Sequence, residues 1–184
     1  MAKKCVSGKT TDWLSARVSA RFIFLLLALG LSFFGATGSA EATGGMTLQG
    51  VNISGGEFNL TTVPGIYNTN YVYPSTAELD YFASKGMTVI RVPFSWERMQ
   101  QSVNGPLDPT EVARMDAVVN AITARGMSTV LDPHNYGAYH NVTVGTPGGH
   151  PNSMFADFWR RLAEHYKSNP KVVFGLMNEP IGSN

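Results

Sequence analysis

The chain has 184 residues, which is enough for one domain with a substantial core, and its 43% hydrophobic and 15% charged residues are ordinary for a globular protein. Five of the 14 basic residues but only one of the 13 acidic residues precede position 41, so the formal net charge of +1 conceals a slightly acidic remainder. An acidic remainder excludes the basic surface with which proteins bind nucleic acid.

Residues 1–40 have the pattern of a secretion signal. Basic residues come first, an apolar run follows at 22–34, and small residues then predict cleavage near 40–42. An uncleaved anchor is the alternative, but the apolar run is shorter than the roughly 20 residues needed to cross a bilayer. We therefore expect a secreted, extracellular protein with no membrane attachment after cleavage. The only cysteine, Cys5, lies in the signal, so the mature part has neither a disulfide nor a cysteine-ligated metal.

The first predicted unit of the mature part is a strand, a helix and a second strand. Residues 48–51 are predicted to form the first strand. Ser75 and Glu78 fit a capping box that begins a helix, and Gly86 supplies the left-handed residue at which a helix ends. The run GMTVIRVP at 86–93 is apolar on both faces and ends in proline, which is typical of a buried parallel strand.

The same unit recurs 40 residues further along the chain. Asp108 and Glu111 are expected to begin a second helix in the same way, and the run GMSTVLDP at 126–133 repeats the second strand. A third helix is predicted from about Asn152, and a fourth strand at 172–176. The alternation of strands and helices favours an α/β fold of right-handed crossovers, either doubly wound or a (β/α)8 barrel.

Two features favour the barrel, which is the TIM-barrel fold. No glycine-rich nucleotide-binding motif follows the first strand. Every predicted strand ends in polar or aromatic residues, and barrel enzymes gather their chemistry at the C-terminal ends of the strands. A complete barrel has eight strands and roughly 250 residues. We therefore expect residues 41–184 to be the N-terminal half of a barrel, truncated to about the first four β/α units.

The strongest catalytic candidates lie on the second and fourth strands. Glu179 stands between Asn178 and Pro180, where a carboxylate is poised for proton transfer; a solvated loop acid or a helix cap is the alternative. Arg91 interrupts the apolar run of the second strand. On the inward face it would hold a catalytic carboxylate ionised and aligned, and the alternative is an arginine that points to solvent at a sheet edge.

Other strand ends supply predicted substrate-binding groups. His134, Asn135 and Tyr136 follow the third strand and suit the hydroxyl groups of a sugar, although a lone histidine is more often a structural hydrogen-bonding group. Asn52 ends the first strand, and Trp96 lies just past the second, where an indole either stacks on a sugar face or packs in the core. The histidines are scattered and H-E-x-x-H is absent, so we expect no metal and no cofactor. The absence of G-x-S-x-G argues against a serine hydrolase of the α/β type.

Apart from Asn52, these residues lie in three segments that together resemble glycoside hydrolase family 5, the cellulase family: RVPFSWERM at 91–99, LDPHNYGAY at 131–139 and GLMNEP at 175–180. GVNISGGEFN at 50–59 is similar to the first strand of the fungal-type endoglucanases of that family, and the resemblance covers 46–184. It implies a (β/α)8 barrel that hydrolyses β-1,4-glucans such as cellulose with retention of configuration and is a monomer when complete. The alternatives are a hydrolase of the same fold that acts on mannan or β-1,3-glucan, and a noncatalytic glycan-binding or vestigial half barrel.

The resemblance also implies roles for single residues. Glu179 matches the general acid/base, and Asn178 matches the amide that contacts the 2-hydroxyl group of the substrate. Arg91 matches the arginine near the nucleophile, and His134 matches the site histidine. The family's nucleophilic glutamate, its second histidine–tyrosine pair and its site tryptophan would lie beyond residue 184. We therefore expect the chain by itself to be inactive.

Overall fold

The structure is a computed structural model that describes residues 48–180. Strands and helices alternate along this part of the chain, as the hydrophobic pattern predicts. In chain order the elements are β1 (Gly50–Asn52), α1 (Thr76–Ser84), β2 (Val89–Phe94), α2 (Trp96–Met99), α3 (Pro109–Ala124), β3 (Ser128–Pro133), β4 (Ala138–Tyr139), β5 (Val142–Thr143), α4 (Asn152–Tyr166) and β6 (Val172–Phe174).

Four strands form one parallel sheet in the order β1-β2-β3-β6, so the strand order follows the chain order. One of the longer helices, α1, α3 or α4, lies between each strand and the next along the chain. Asn52 is opposite Arg91, Arg91 opposite Val130, and Val130 opposite Val173, so these side chains share one face of the sheet. The predicted parallel α/β organisation is confirmed, and the C-terminal ends of the strands meet at one edge.

The core lies between the other face of the sheet and the helices. Ile90, Val92 and Leu131 are fully buried on that face, where alternation along the strand places them opposite to Arg91. The helices contribute buried side chains to the same cluster: Leu79 of α1, Met115, Val118 and Ile122 of α3, and Phe158 and Leu162 of α4.

Helix α1 begins and ends at the predicted residues. Ser75 Oγ accepts a hydrogen bond from the N–H of Glu78 at 3.3 Å, and the Glu78 carboxylate accepts one from the N–H of Ser75 at 2.8 Å, which completes the capping box. Gly86 after α1 and Gly126 after α3 have φ of 77° and 79°. Glycine adopts this left-handed conformation without the steric penalty of a β-carbon, which explains why the two helices end there.

Helix α3 departs from the predicted cap. Asp108 accepts a hydrogen bond from the N–H of Glu111 at 2.8 Å, as expected, but the Glu111 side chain does not return to Asp108. It is buried and accepts hydrogen bonds from the phenol groups of Tyr71 and Tyr73, at 2.5 and 2.6 Å. Glu111 therefore anchors the loop that precedes α1, a role that its local sequence does not reveal.

Three short elements were not predicted, and the bounds of two strands were wrong. Helix α2 follows β2 directly, and β4 and β5 form an antiparallel hairpin between β3 and α4. The first strand spans Gly50–Asn52 rather than 48–51, and the fourth strand of the sheet ends at Phe174 rather than 176. Each of these elements is four residues or fewer in length, too short for a hydrophobic period to show.

The predicted secretion signal at 1–40, its cleavage near 40–42 and Cys5 lie outside the described residues. Within 48–180, none of the helices has the length and apolar character needed to cross a membrane.

Candidate active site

Arg91 joins the ends of the sheet strands. Its Nη1 donates to Oδ1 of Asn52, after which β1 ends, at 2.6 Å. Its Nη2 donates to Asp132 Oδ2 near the end of β3 and to Asn178 Oδ1 beyond β6, each at 2.7 Å. The Arg91 side chain lies on the predicted inward face and is 32% exposed. A single guanidinium therefore fixes three side chains that are far apart in sequence, and it uses a rigid fork of N–H donors to do so.

Asp132 is the carboxylate partner of Arg91, and it was not predicted as a site residue. Its side chain is 6% exposed. Burial raises the pKa of the Asp132 carboxyl, and the neighbouring Arg91 and His134 offset part of that rise. The signal was present in the sequence, because an acid interrupts the apolar run of β3 as Arg91 interrupts that of β2. Alternation places Asp132 on the same face as Val130, which is the face of Arg91.

Asn178 and Glu179 follow β6 at the same edge. The N–H of Asn178 donates to the carbonyl of Pro133 at 3.0 Å, which joins this segment to the end of β3. Because Arg91 can only donate, it selects the oxygen of the Asn178 amide, and the amide NH2 points elsewhere. Glu179 is exposed and has a φ of 35°. Non-glycine residues with such backbone angles cluster at functional sites, where the surrounding structure holds them in place.

His134 and Tyr136 lie beside the Arg91–Asp132 pair. His134 Nε2 is 3.1 Å from the phenol oxygen of Tyr136, and the two rings are nearly perpendicular. His134 Nδ1 is buried, lies 3.5 Å from Asp132 Oδ2 and has no hydrogen-bond partner in the described part of the chain. Tyr136 is 38% exposed, so its ring is accessible to a ligand. The structure therefore brings together Asn52, Arg91, His134, Tyr136, Asn178 and Glu179 at the predicted edge of the sheet.

Trp96 does not lie in the site, and its expected stacking on a sugar is wrong. Its side chain is fully buried, its ring contacts those of Tyr139 and Phe158, and its indole N–H donates to Gln100 at 3.0 Å. The reason is α2, which begins at Trp96 and carries the indole into the core beneath the loop after β3.

The prediction that Asn135 binds the substrate is also wrong, because its side-chain amide forms hydrogen bonds within the protein. It is 5% exposed. Its Oδ1 accepts from the N–H of Trp96 at 2.9 Å, and its Nδ2 donates to Glu97 at 2.6 Å. Asn135 therefore ties the loop after β3 to α2 instead of presenting its amide to a sugar.

A cavity of about 440 Å³ adjoins the site. Its wall includes Tyr136 and His140 from the loop after β3, Glu97 from α2 and Leu60 from the loop after β1. Most of the residues in this wall have polar side chains. Within 48–180, no three histidine, cysteine or acidic side chains lie close enough together to hold a metal ion.

Comparison with known proteins identifies the family. The family model described as Cellulase (glycosyl hydrolase family 5) matches residues 51–184. The chain belongs to this family. A probable endo-β-1,4-glucanase B of Aspergillus oryzae is 37% identical over 131 residues, which are 71% of this chain and 38% of that protein. The resemblance to cellulases and to fungal endoglucanases that the sequence motifs predicted is thereby confirmed.

Two solved structures of the family match the fold. An endo-β-1,4-glucanase from Xanthomonas axonopodis pv. citri superposes with a TM-score of 0.69 at 42% identity, over 72% of this chain and 42% of that one. The Pseudomonas stutzeri endoglucanase Cel5A in complex with cellobiose superposes with a TM-score of 0.69 at 37% identity, over 72% of this chain and 40% of that one. The chain thus spans about two fifths of the length of the family members that it matches.

Proposed function

We propose that residues 48–180 form the first half of a (β/α)8 barrel and that the protein acts as a retaining endo-β-1,4-glucanase on β-glucans such as cellulose. The observation that carries the proposal is the Arg91 network at the C-terminal edge of the sheet, where barrel enzymes of every kind place their active site. The strand order supports the barrel, because it follows the chain, whereas a doubly wound sheet reverses its strand order part-way. The relatives named as endo-β-1,4-glucanases support the substrate.

In this proposal Glu179 is the general acid/base. Retaining glycosidases use two carboxyl groups roughly 5 Å apart: one attacks the anomeric carbon, and the other protonates the leaving oxygen and later activates water. Glu179 is exposed at the strand edge, where it is accessible to a glycosidic oxygen. Asp132 is buried and paired with Arg91, so it is not placed to attack a sugar. The family resemblance implies that the nucleophilic carboxylate is supplied from outside 48–180, and the proposal includes this.

The neighbouring groups have binding and positioning roles. Because its oxygen is held by Arg91, the Asn178 amide presents its NH2 group as a donor to the 2-hydroxyl group of the substrate. His134 and Tyr136 offer hydrogen-bonding groups and an accessible ring beside it. Asn52 gives its oxygen to Arg91 and one N–H to Ser54, at 2.7 Å, which leaves one N–H for a sugar hydroxyl.

The proposal includes secretion. The basic and apolar pattern of residues 1–40 supports export and cleavage near 40–42. The extracellular location suits an enzyme whose substrate is an insoluble polysaccharide. We further propose that the complete enzyme is a monomer that needs no cofactor.

Replacement of Glu179 by alanine in a protein with the complete barrel tests the catalytic role. General acid–base assistance contributes about 10²–10⁴-fold, so Glu179→Ala is expected to lose that much activity on cellulose. An aryl glucoside with an activated leaving group needs little protonation, and added azide attacks the glycosyl-enzyme without a base. Azide should therefore restore turnover of the aryl substrate and yield the β-glycosyl azide.

The control is Glu78→Gln, which changes an exposed carboxylate of the α1 cap and is expected to retain activity. Near-normal hydrolysis of cellulose by Glu179→Ala would refute the assignment. An α-glycosyl azide would show instead that Glu179 is the nucleophile. Assays of the unmodified enzyme on mannan and on β-1,3-glucan establish whether cellulose is the preferred glycan.

A further inference from the structure

The loop that carries His134 and Tyr136 has an unusual backbone. Tyr136, His140 and Asn141 have φ of 54°, 46° and 61°. His140 and Asn141 form the two-residue turn between β4 and β5, which requires positive φ at both positions and usually contains asparagine and glycine. Residues with a β-carbon remain in this conformation only where neighbouring groups hold them. The β4–β5 turn accounts for the positive φ of His140 and Asn141, whereas Tyr136 lies outside that turn and depends on other contacts.

Glu97 of α2 makes these contacts. It is 5% exposed, and its Oε1 accepts from the N–H of His140 at 2.9 Å. Its Oε2 accepts from Asn135 Nδ2 at 2.6 Å and from Ser95 Oγ at 2.9 Å. Within the part of the chain that the structure describes, Glu97 forms no ion pair. All three partners are neutral donors, and an ionised carboxylate, which only accepts, satisfies them together.

The two attachments lie on either side of Tyr136 in the sequence. Asn135 is held by Glu97 and by the N–H of Trp96, and His140 is held by Glu97. Tyr136 lies between these points and is linked through its phenol group to His134. Glu97, Tyr136 and His140 also share the wall of the 440 Å³ cavity. A change in the loop would therefore move the His134–Tyr136 pair and alter the cavity together.

We propose that Glu97 is a positioning residue of the substrate site. Its carboxylate holds residues 134–141 in the conformation that places His134 and Tyr136 beside the Arg91–Asp132 pair. Glu97 acts through these residues and does not touch the substrate itself. The part of this inference that concerns glucan binding rests on the proposed function. The part that concerns the conformation of residues 134–141 does not.

Glu97→Gln in a protein with the complete barrel tests the inference. Glutamine has nearly the same size as glutamate, but one of its two acceptor oxygens is replaced by an NH2 group. Either the backbone N–H of His140 or the side-chain amide of Asn135 therefore loses its acceptor. Loss of a buried hydrogen bond of this kind changes the equilibrium constant for loop opening or for ligand binding by about 10-fold or more. We expect the His140 amide proton to exchange with solvent about 10-fold faster. We also expect cellopentaose to bind about 10-fold more weakly, measured by NMR titration of the same sample.

Glu111→Gln is the matched control, because Glu111 is another buried carboxylate and its partners, Tyr71, Tyr73 and Arg114, all lie outside the loop. It should destabilise the fold without changing His140 exchange or cellopentaose binding. Unchanged exchange and Kd in Glu97→Gln would overturn the proposal, as would equal changes in both variants. If the unmodified protein does not bind cellopentaose, the proposed glucan binding fails, and His140 exchange alone then decides the positioning role of Glu97.

Discussion

At the scale of single residues, the site depends on one cation that orients the groups around it. Arg91 is always charged and only donates, so the oxygens of Asn52, Asp132 and Asn178 must face it. The orientation of each amide follows from this contact. The NH2 group of Asn178 is therefore directed away from Arg91.

Gly175 provides room for this network. A β-carbon at residue 175 would lie 3.1 Å from Asp132 Oδ1 and 3.3 Å from Val130 Cγ1. Asp132 is held by Arg91 and cannot retreat freely. We expect Gly175→Ala to lower the free energy of unfolding by about 1–3 kcal/mol, the usual cost of overpacking, as measured by urea denaturation.

A double-mutant cycle identifies the source of this cost. In an Asp132→Ala background the carboxylate is absent, so Gly175→Ala should cost less than it does in the unmodified protein. Equal costs in both backgrounds would show that the added methyl group does not act through Asp132.

At the scale of elements, the helices are joined by contacts that local pattern does not predict. Arg98 of α2 is almost completely buried, and it donates to the carbonyl groups of Gly56, Phe58, Asn59 and Pro64. It also stacks on the ring of Tyr71, with 4.2 Å between the guanidinium carbon and the ring centre. Arginine side chains are seldom fully buried unless they are paired, and the local sequence does not show these partners. Arg98 is buried because the carbonyl groups of the loop after β1 surround its guanidinium and accept its hydrogen bonds.

Asp157 of α4 gives a pH dependence at this scale. Hydrogen bonds from Arg161, Arg160 and Gln100 hold it, and those from Arg161 and Arg160 lower the pKa of the Asp157 carboxyl from 3.8 to about 2. The folded state therefore binds fewer protons than the unfolded chain between these two values. It follows that Asp157 stabilises the protein above pH 3.8 and that this contribution is lost as the pH falls towards about 2.

Asp157→Asn isolates this contribution. The difference in free energy of unfolding between the unmodified protein and the variant should be constant near neutral pH and should shrink as the pH falls below 3.8. Urea denaturation over a pH series measures it. A difference that stays constant down to about pH 2 would contradict the role of ionised Asp157.

At the scale of the whole molecule, the described sheet has two edges, β1 and β6. Val89, Val130 and Val173 share the face opposite to the helices, and Val173 is 41% exposed. Leu176, just beyond β6, is 66% exposed. Exposed strand edges with apolar side chains associate with one another. We expect residues 41–184 alone to sediment as oligomers or aggregates and not to hydrolyse cellulose.

Val173→Lys should reduce this association, because a charge beside a strand edge opposes pairing. Tyr81→Lys is the control, since Tyr81 is an exposed apolar side chain on α1, away from the sheet edge. A monomer with a sharp, cooperative melt and cellulase activity would contradict the half-barrel proposal.

The sequence by itself determined the longer elements, the parallel α/β order and the family. Helix caps, glycine termini and repeated apolar runs are local signals, and α1, α3, β2 and β3 depend on them. Strand ends that carry polar residues in a parallel sheet must meet at one edge, so the gathering of Arg91, His134 and Asn178 was also predictable.

Only the tertiary structure decided what each polar or aromatic side chain touches. Trp96 is in the core because α2 turns it inward, and Asn135 faces Glu97 because the loop after β3 folds back over α2. Asp132 became a site residue through Arg91, its partner on the neighbouring strand, 41 positions away in sequence. The physical reason is common to all three: burial and hydrogen bonding depend on neighbours in space, and residues far apart in the chain supply those neighbours.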